Sequence, residues 1–260
     1  MTTETASAED LRSRLTRAPQ IGTFVKIAGG EVIDLVALAG FDFAVLDLEH
    51  SQLSYAEARH SLAVARANGL DITVRIPTLD TGLANRLLEA GAAGIQLSTV
   101  RSATSARRFV QALRYGPGGS RSISLAQSSA CYGAIPLTEY LDRYTSHPLA
   151  IGQLETASFE DPINDIVGPL DIAFIGTLDL SVSVGTPGRH DTPEAVRITD
   201  SIVAAGKKTG TALGIFAADE SEVDRAISAG FHYIVVSSDI ALMRSAATNL
   251  MSRVRQKVQW

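Results

Sequence analysis

Phe43-Ala-Val-Leu-Asp-Leu-Glu-His50 decides how this chain is read. A short apolar run passes directly into three titratable residues, Asp47, Glu49 and His50. A strand covered on both faces reads as a continuous apolar run, as in a parallel sheet flanked by helices. Polar groups at the carboxyl end of such a strand stand where α/β proteins hold their ligands.

The same plan recurs outward from this stretch. AGFDFAVLD, AGAAGIQLS, GPLDIAFIG and AGFHYIVVS each place a glycine (Gly40, Gly91, Gly168, Gly230) a few residues before an apolar strand. Glycine tolerates the left-handed conformation that closes a helix, so each repeat reads as a helix-to-strand joint. Strands are expected at 21–26, 43–48, 72–75, 94–97, 149–154, 171–175, 212–216 and 233–236. Ser54 with Glu57 has the spacing of a capping box, which opens the helix after the second strand. Eight strands alternating with helices over one chain predict a (β/α)8 TIM barrel. A doubly wound open sheet is the competing architecture, and no GxGxxG follows the first strand to support its dinucleotide-binding form. The long connection 115–148, with a short helix near Pro136, is expected to fold over a site.

The chain has 260 residues, 45% hydrophobic and 20% charged, enough for one barrel domain spanning 1–260. It would carry a polar lead-in over about 1–18 and a C-terminal helix over about 239–257. The net charge of -5, with scattered Lys and Arg, argues against nucleic acid as a partner. A single cysteine, Cys131, allows neither a disulfide within the chain nor a thiolate metal cluster. The N-terminus lacks the apolar stretch of a signal peptide, and no run approaches the roughly 20 apolar residues of a membrane span. A cytoplasmic protein with no membrane partner is expected.

Several strands end in chemistry-bearing residues: Glu49 and His50, Arg75, Glu155, and Asp179 just beyond the sixth strand. In a barrel they share the face that carries catalytic groups. Two carboxylates with few histidines suit a hard cation such as Mg²⁺ or Mn²⁺. The plainer alternative is that both carboxylates simply pair with Arg75. Lys26, at the end of the first strand, is a candidate for Schiff-base chemistry. His60, His147, His190 and His232 sit in positions that suggest no chemical role.

These residues carry a resemblance. FAVLDLEHS, Val74-Arg-Ile-Pro77, Arg114-Tyr-Gly-Pro-Gly-Gly-Ser-Arg121, Gly152-Gln-Leu-Glu-Thr156, Phe174-Ile-Gly-Thr-Leu-Asp-Leu-Ser181 and Gly185-Thr-Pro-Gly188 resemble, in order and spacing, the HpcH/HpaI aldolase family. The similarity runs from about Gly22 to Leu250. It implies a class II pyruvate aldolase that cleaves a 4-hydroxy-2-oxo acid to pyruvate and an aldehyde. By that resemblance Glu155 and Asp179 bind the divalent metal, Mg²⁺ or Mn²⁺ with Co²⁺ as a further candidate. Arg75 faces the developing oxyanion, and His50 is the acid/base, oriented by Glu89. Backbone groups around Gly176, Leu178 and Asp179 hold the pyruvate carboxylate, with Arg121 as a further substrate contact. The family also implies a homo-oligomer, a hexamer, with the C-terminal helix packed on a neighbouring subunit.

Three positions depart from the family pattern. Glu89 stands for an aspartate, Thr177 and Leu178 stand for a proline and an alanine, and Leu97-Ser-Thr-Val100 lacks a proline. Oxaloacetate decarboxylase or acyl-CoA lyase chemistry on the same site, and a non-catalytic keto-acid-binding role, are the alternative functions.

Overall fold

The computed structural model describes residues 9–144 and 148–258. Residues 1–8 of the expected lead-in, and His147, lie outside the described residues. The strands are β1 (Gln20–Val25), β2 (Phe43–Asp47), β3 (Asp71–Ile76), β4 (Gly94–Leu97), β5 (Leu149–Leu154), β6 (Ile172–Ile175), β7 (Ala212–Ala217) and β8 (Tyr233–Ser238). The helices are α1 (Leu11–Leu15), α2 (Gly30–Leu38), α3 (Tyr55–Ala67), α4 (Thr81–Glu89), α5 (Ala103–Leu113), α6 (Leu137–Tyr144), α7 (Ile163–Val167), α8 (Thr177–Ser183), α9 (Pro193–Thr209), α10 (Glu220–Ala229) and α11 (Asp239–Lys257). Each strand pairs in parallel with the next, and β8 pairs with β1, so the sheet closes into a barrel in chain order. The (β/α)8 expectation holds, and the open-sheet alternative falls because no strand is left at an edge.

Side chains on a strand alternate between faces, and here the alternation sorts the two cores. Phe43 and Val45 of β2, Leu149 and Ile151 of β5, Ile172 and Phe174 of β6, and Tyr233 and Val235 of β8 pack together inside the barrel. The intervening residues, such as Ala44, Leu46, Ala150 and Ala173, face the helices in the outer core. Phe43 stacks on Tyr233 with ring centroids 4.3 Å apart, and Phe174 meets Tyr233 edge-on at 6.1 Å. The next inward position along β2 is Asp47, along β3 Arg75, and along β1, after Phe24, Lys26. The apolar filling therefore gives way to charge towards the carboxyl ends of the strands.

Two features differ from the sequence reading. The lead-in is partly structured: Asp10 caps α1 by accepting from the Ser13 N–H at 2.8 Å, and Leu11 and Leu15 are buried with the inner aromatic layer. This helix closes the barrel at the end where the strands begin. Of the four joint glycines, Gly40, Gly91 and Gly230 have positive φ as expected, whereas Gly168 keeps a right-handed conformation with φ -55°. A side chain at Gly168 would stand 3.0 Å from the Asn164 carbonyl, so tight packing and not handedness explains that residue. Ser54 and Glu57 form the expected capping box on α3.

The 115–148 connection builds a small core of its own. Tyr115, Ala130 and Tyr140 are buried together, the tyrosine hydroxyls lie 3.0 Å apart, and Gln127 donates to Tyr140 at 3.0 Å. A turn of 3-10 helix at Ser128–Gly133 leads into α6, near the position expected from Pro136.

Candidate active site

A cavity of about 960 Å³ opens at the carboxyl ends of the strands. Phe24, Phe174 and Phe216 line it together with Lys26, His50, Arg75, Gln153 and the turn Gly176–Asp179. Its electrostatic centre is Asp47, a fully buried carboxylate. Arg75 donates to it twice, Nε to Oδ1 at 2.9 Å and Nη2 to Oδ2 at 2.6 Å. Lys26 Nζ lies 2.9 Å from Oδ2. The backbone N–H groups of Glu49 and His50 donate to Oδ1 at 3.1 and 3.2 Å, which fixes the turn that presents both side chains. Burial alone would raise the Asp47 carboxyl, but the hydrogen bonds and charge of Arg75, joined by Lys26, hold it well below the usual carboxylate range.

Glu49 sits between the same groups. It accepts from Ser98 Oγ at 2.5 Å, and its Oε2 lies 3.4 Å from Arg75 Nε and 3.8 Å from His50 Nε2. His50 is more than half exposed on the cavity wall, and Glu49 is the acid nearest its ring. Arg75 also stacks over the Phe24 ring at 4.5 Å, so its guanidinium is fixed on three sides. The alternative that Glu155 and Asp179 pair with Arg75 is not what the fold builds: Arg75 belongs to Asp47 and Glu49.

Glu155 follows β5 and is only 6% exposed. Its partners are all neutral: Thr99 donates to Oε1 from its N–H at 2.9 Å and its hydroxyl at 2.7 Å, and Gln153 Nε2 donates to Oε2. Burial raises its carboxyl above the ordinary range, the hydrogen bonds from Gln153 and Thr99 oppose this, and the nearby charges of Asp179 and Glu49 add to the rise. Thr99 takes a positive φ of 53° to aim both donors at one oxygen. Across from it, Asp179 lies in the first turn of α8, exposed to the cavity. Gly176 separates the two: a Cβ there would stand 2.5 Å from Glu155 Oε2 and 2.9 Å from Glu155 Cβ. Among the described residues neither Glu155 nor Asp179 has a cationic partner, and no group of three or more His, Cys, Asp or Glu could hold a metal. What remains is a pair of carboxylates of unmet charge, one with a lone pair still open on Oε2.

The expected backbone donors are partly engaged. The Gly176 N–H donates to the Leu154 carbonyl at 3.2 Å as part of the barrel, whereas those of Thr177, Leu178 and Asp179 open α8 without intrahelical acceptors. The exposed Leu178 side chain lines the cavity.

Glu89 and Arg121 are not brought to this cavity within one chain. Helix α4 starts after β3 and ends before β4, so Glu89 in its last turn stands towards the opposite end of the barrel from His50. There Asn85 ties the two together, donating to Glu89 Oε1 at 3.3 Å and accepting from Arg121 Nε at 2.9 Å. Arg121 is buried against the Tyr115 ring at 4.5 Å.

Sequence reading singled out Arg75, Glu155 and Asp179 but gave no role to Asp47, Gln153 or Thr99. Alternation from Phe43 and Val45 would have turned Asp47 inward, and alternation from Leu149 and Ile151 does the same for Gln153. No local signal announces Thr99. Lys26, offered as a Schiff-base lysine, is an ion-pair partner of Asp47, whereas an imine-forming amine has to be free of its proton.

A family model described as HpcH/HpaI aldolase/citrate lyase matches residues 20–246. A 5-keto-4-deoxy-D-glucarate aldolase of Klebsiella pneumoniae is 29% identical over 233 residues, covering 89% of this chain and 90% of that protein. A hydroxypyruvate/pyruvate aldolase of Sagittula stellata is 32% identical over 230 residues, covering 88% and 90%. Among solved structures, an HpcH/HpaI aldolase/citrate lyase family protein from Burkholderia cenocepacia superposes with a TM-score of 0.87 at 27% identity, covering 94% of this chain and 98% of the other.

Proposed function

The chain belongs to the HpcH/HpaI aldolase/citrate lyase family, an aldolase-type enzyme by that membership, and we propose that it is a metal-dependent lyase cleaving a 4-hydroxy-2-oxo acid to pyruvate and an aldehyde. The observation that carries this reading is the Glu155–Asp179 pair: a buried carboxylate held only by the neutral donors Thr99 and Gln153, and a second on the cavity wall near enough for its charge to raise the first. Such an oxygen donor set fits a hard divalent ion, Mg²⁺, Mn²⁺ or Co²⁺, completed by water and substrate oxygens. When bound, the ion would supply Lewis-acid stabilisation of negative charge on the substrate.

The remaining chemistry falls to the chain. Arg75, held rigid by Asp47 and Phe24, presents positive charge to the oxygen of the 2-oxo group as electrons collect there. The N–H groups of Leu178 and Asp179 face the substrate carboxylate. In the cleavage direction the C4 hydroxyl proton is taken up through His50 and the C3–C4 bond breaks. The aldehyde carbonyl forms at C4 and the bonding pair moves to C3, giving the enolate of pyruvate. Protonation at C3 completes the product. Phe24, Phe174 and Phe216 keep water from much of the cavity wall, which strengthens each of these electrostatic contacts.

We infer further that the protein acts as a homo-oligomer, in line with the hexamer implied by the resemblance. Helix α11 carries exposed Met243, Leu250, Met251 and Val254, and such a row of apolar side chains on one helix marks a packing surface. No helix among the described residues is long and apolar enough to cross a membrane.

Metal-dependent incorporation of deuterium into the methyl group of pyruvate tests the central step without knowledge of the aldehyde. Exchange that is abolished by chelation and restored by Mn²⁺ is expected. Exchange that persists in the presence of chelator, or none with any of the three metals, refutes the reading. Release of pyruvate from oxaloacetate at a rate exceeding aldol cleavage of every aldehyde adduct tried would favour the decarboxylase alternative.

A further inference from the structure

We propose that Gln96, buried on β4, is a positioning residue for the proposed metal centre: it sets which way the Gln153 amide faces, and so keeps an N–H aimed at Glu155. The inference rests on the reading of Glu155 and Asp179 as metal-binding, and deepens it with a residue that itself reaches neither carboxylate.

Three side chains stand in series inside the barrel. Gln96 Nε2 donates to Gln153 Oε1 at 2.7 Å, and Gln153 Nε2 donates to Glu155 Oε2. Both amides are buried, so bulk water does not replace a bond that is lost. In the β4–β5 pairing Gln96 stands opposite Ile151, and Gln153 is the next inward position along β5. The bond between the amides therefore runs diagonally, a reach that uses the length of a glutamine.

An amide has a donor end and an acceptor end, so the series has a polarity. Glu155 at its head, once ionised, only accepts, and it meets the NH₂ of Gln153. The Gln153 carbonyl then faces the other way and requires a donor. Gln96 supplies one, and its own carbonyl oxygen is turned to a place where nothing donates: Gln96 Oε1 has no hydrogen-bond partner among the described residues. A buried acceptor left open is destabilising, so this orientation is not the choice of Gln96 alone. With its ends exchanged, Gln96 would set its oxygen against that of Gln153. Turning Gln153 over would relieve the contact only by setting its oxygen against the carboxylate.

The other anchors of Glu155 do not duplicate this. Thr99 holds Oε1 with two donors, which leaves the carboxylate free to swing about that oxygen unless Oε2 is held as well. Oε2 lies beneath Gly176, 2.5 Å from where a Cβ would stand, and Gln153 Nε2 lies 3.2 Å from the same point. The turn after β6 thus packs the Gln153 side chain in place. Only the sense of its amide is left open, and Gln96 settles it.

Calorimetric titration of the metal-free, full-length protein with Mn²⁺ tests the assignment without turnover. Gln96→Met keeps the bulk and removes the donor, and should raise Kd roughly tenfold. In a Gln153→Met background the same change should alter Kd by less than about twofold, because the bond it severs is already gone. A role in packing alone would give the same loss in both backgrounds. Gln96→Glu puts an acceptor where the donor was and brings a negative charge nearer the centre. Attraction alone would tighten cation binding, whereas a Gln153 amide turned over to serve the new carboxylate weakens it, again by roughly tenfold. A Gln96→Met rise below about threefold, equal losses in the two backgrounds, or Gln96→Glu binding Mn²⁺ as tightly as the wild type overturns the role of Gln96. A wild type that binds no Mn²⁺ overturns the metal reading itself, whereas tight binding that ignores residue 96 overturns the positioning role alone.

Discussion

Replacing Asp47 by asparagine tests whether the fold depends on the charge at the mouth of the barrel. The carboxylate is fully buried and accepts five hydrogen bonds, from Arg75 Nε and Nη2, Lys26 Nζ, and the N–H groups of Glu49 and His50. Asparagine keeps one acceptor. With its oxygen in the Oδ1 position it retains Arg75 Nε and both backbone donors, but its NH₂ then points at Arg75 Nη2 and Lys26 Nζ. Two charge-assisted hydrogen bonds are lost, each contributing about 1.5–3 kcal/mol, and the buried guanidinium is left undercompensated. The two together amount to about 3–6 kcal/mol. For a chain of this length that corresponds to a fall in Tm of the order of 10 °C. Urea unfolding should show a lower midpoint with an unchanged m-value. Lys26 can turn to solvent whereas Arg75 cannot, so Lys26→Met should cost less in the Asp47→Asn background than in the wild type. The difference is a coupling energy of about 1 kcal/mol or more. A Tm within 2 °C of the wild type would refute the view that Asp47 anchors the site.

Gly176→Ala places a methyl group against the Glu155 carboxylate, and should weaken Mn²⁺ binding roughly 10–100-fold by calorimetry while the fold survives. Glu155→Gln removes a buried charge that has no cationic partner, so the metal-free variant should be at least as stable as the wild type. Saturating Mn²⁺, at about 100 times its Kd, should stabilise the wild type by about 2.7 kcal/mol and this variant hardly at all. Asp171 is raised by burial but lowered more by Arg12 and Arg114, so its folded carboxyl lies below the ordinary 3.8. Its contribution is complete above that pH and is lost as the pH falls below it, so urea titrations of Asp171→Asn should show a lower stability at pH 7 and a shallower acid decline than the wild type. Leu250→Arg on the exposed face of α11 should lower the mass measured by light scattering, with the monomer's helical content retained.

The barrel was legible because four joints repeat and the strands are short apolar runs, a pattern no other architecture explains as simply. Element boundaries were close, but α1 escaped, since Leu11 and Leu15 lie in a polar stretch and only the tertiary fold shows the hollow they fill. Glu155 and Asp179 were readable as polar ends of apolar strands. Asp47 was harder, because its role comes from facing inward beside Arg75 and Lys26, which lie 28 and 21 positions away in the chain. Thr99 was not readable at all: it matters through two donors aimed by an uncommon backbone conformation. Glu89 and Arg121 illustrate the opposite limit, since a motif supplies their names without saying that Asn85 gathers them at a distance from His50.

The small helix beneath the barrel has a kinetic corollary. Leu11 and Leu15 back the aromatic filling of the barrel, so the cavity at the carboxyl ends of the strands has a closed floor. Visitors must queue: whichever fragment docks deepest arrives first and departs last, so turnover should follow a fixed sequence of arrivals, and the shallower fragment should act as a cork on the deeper one.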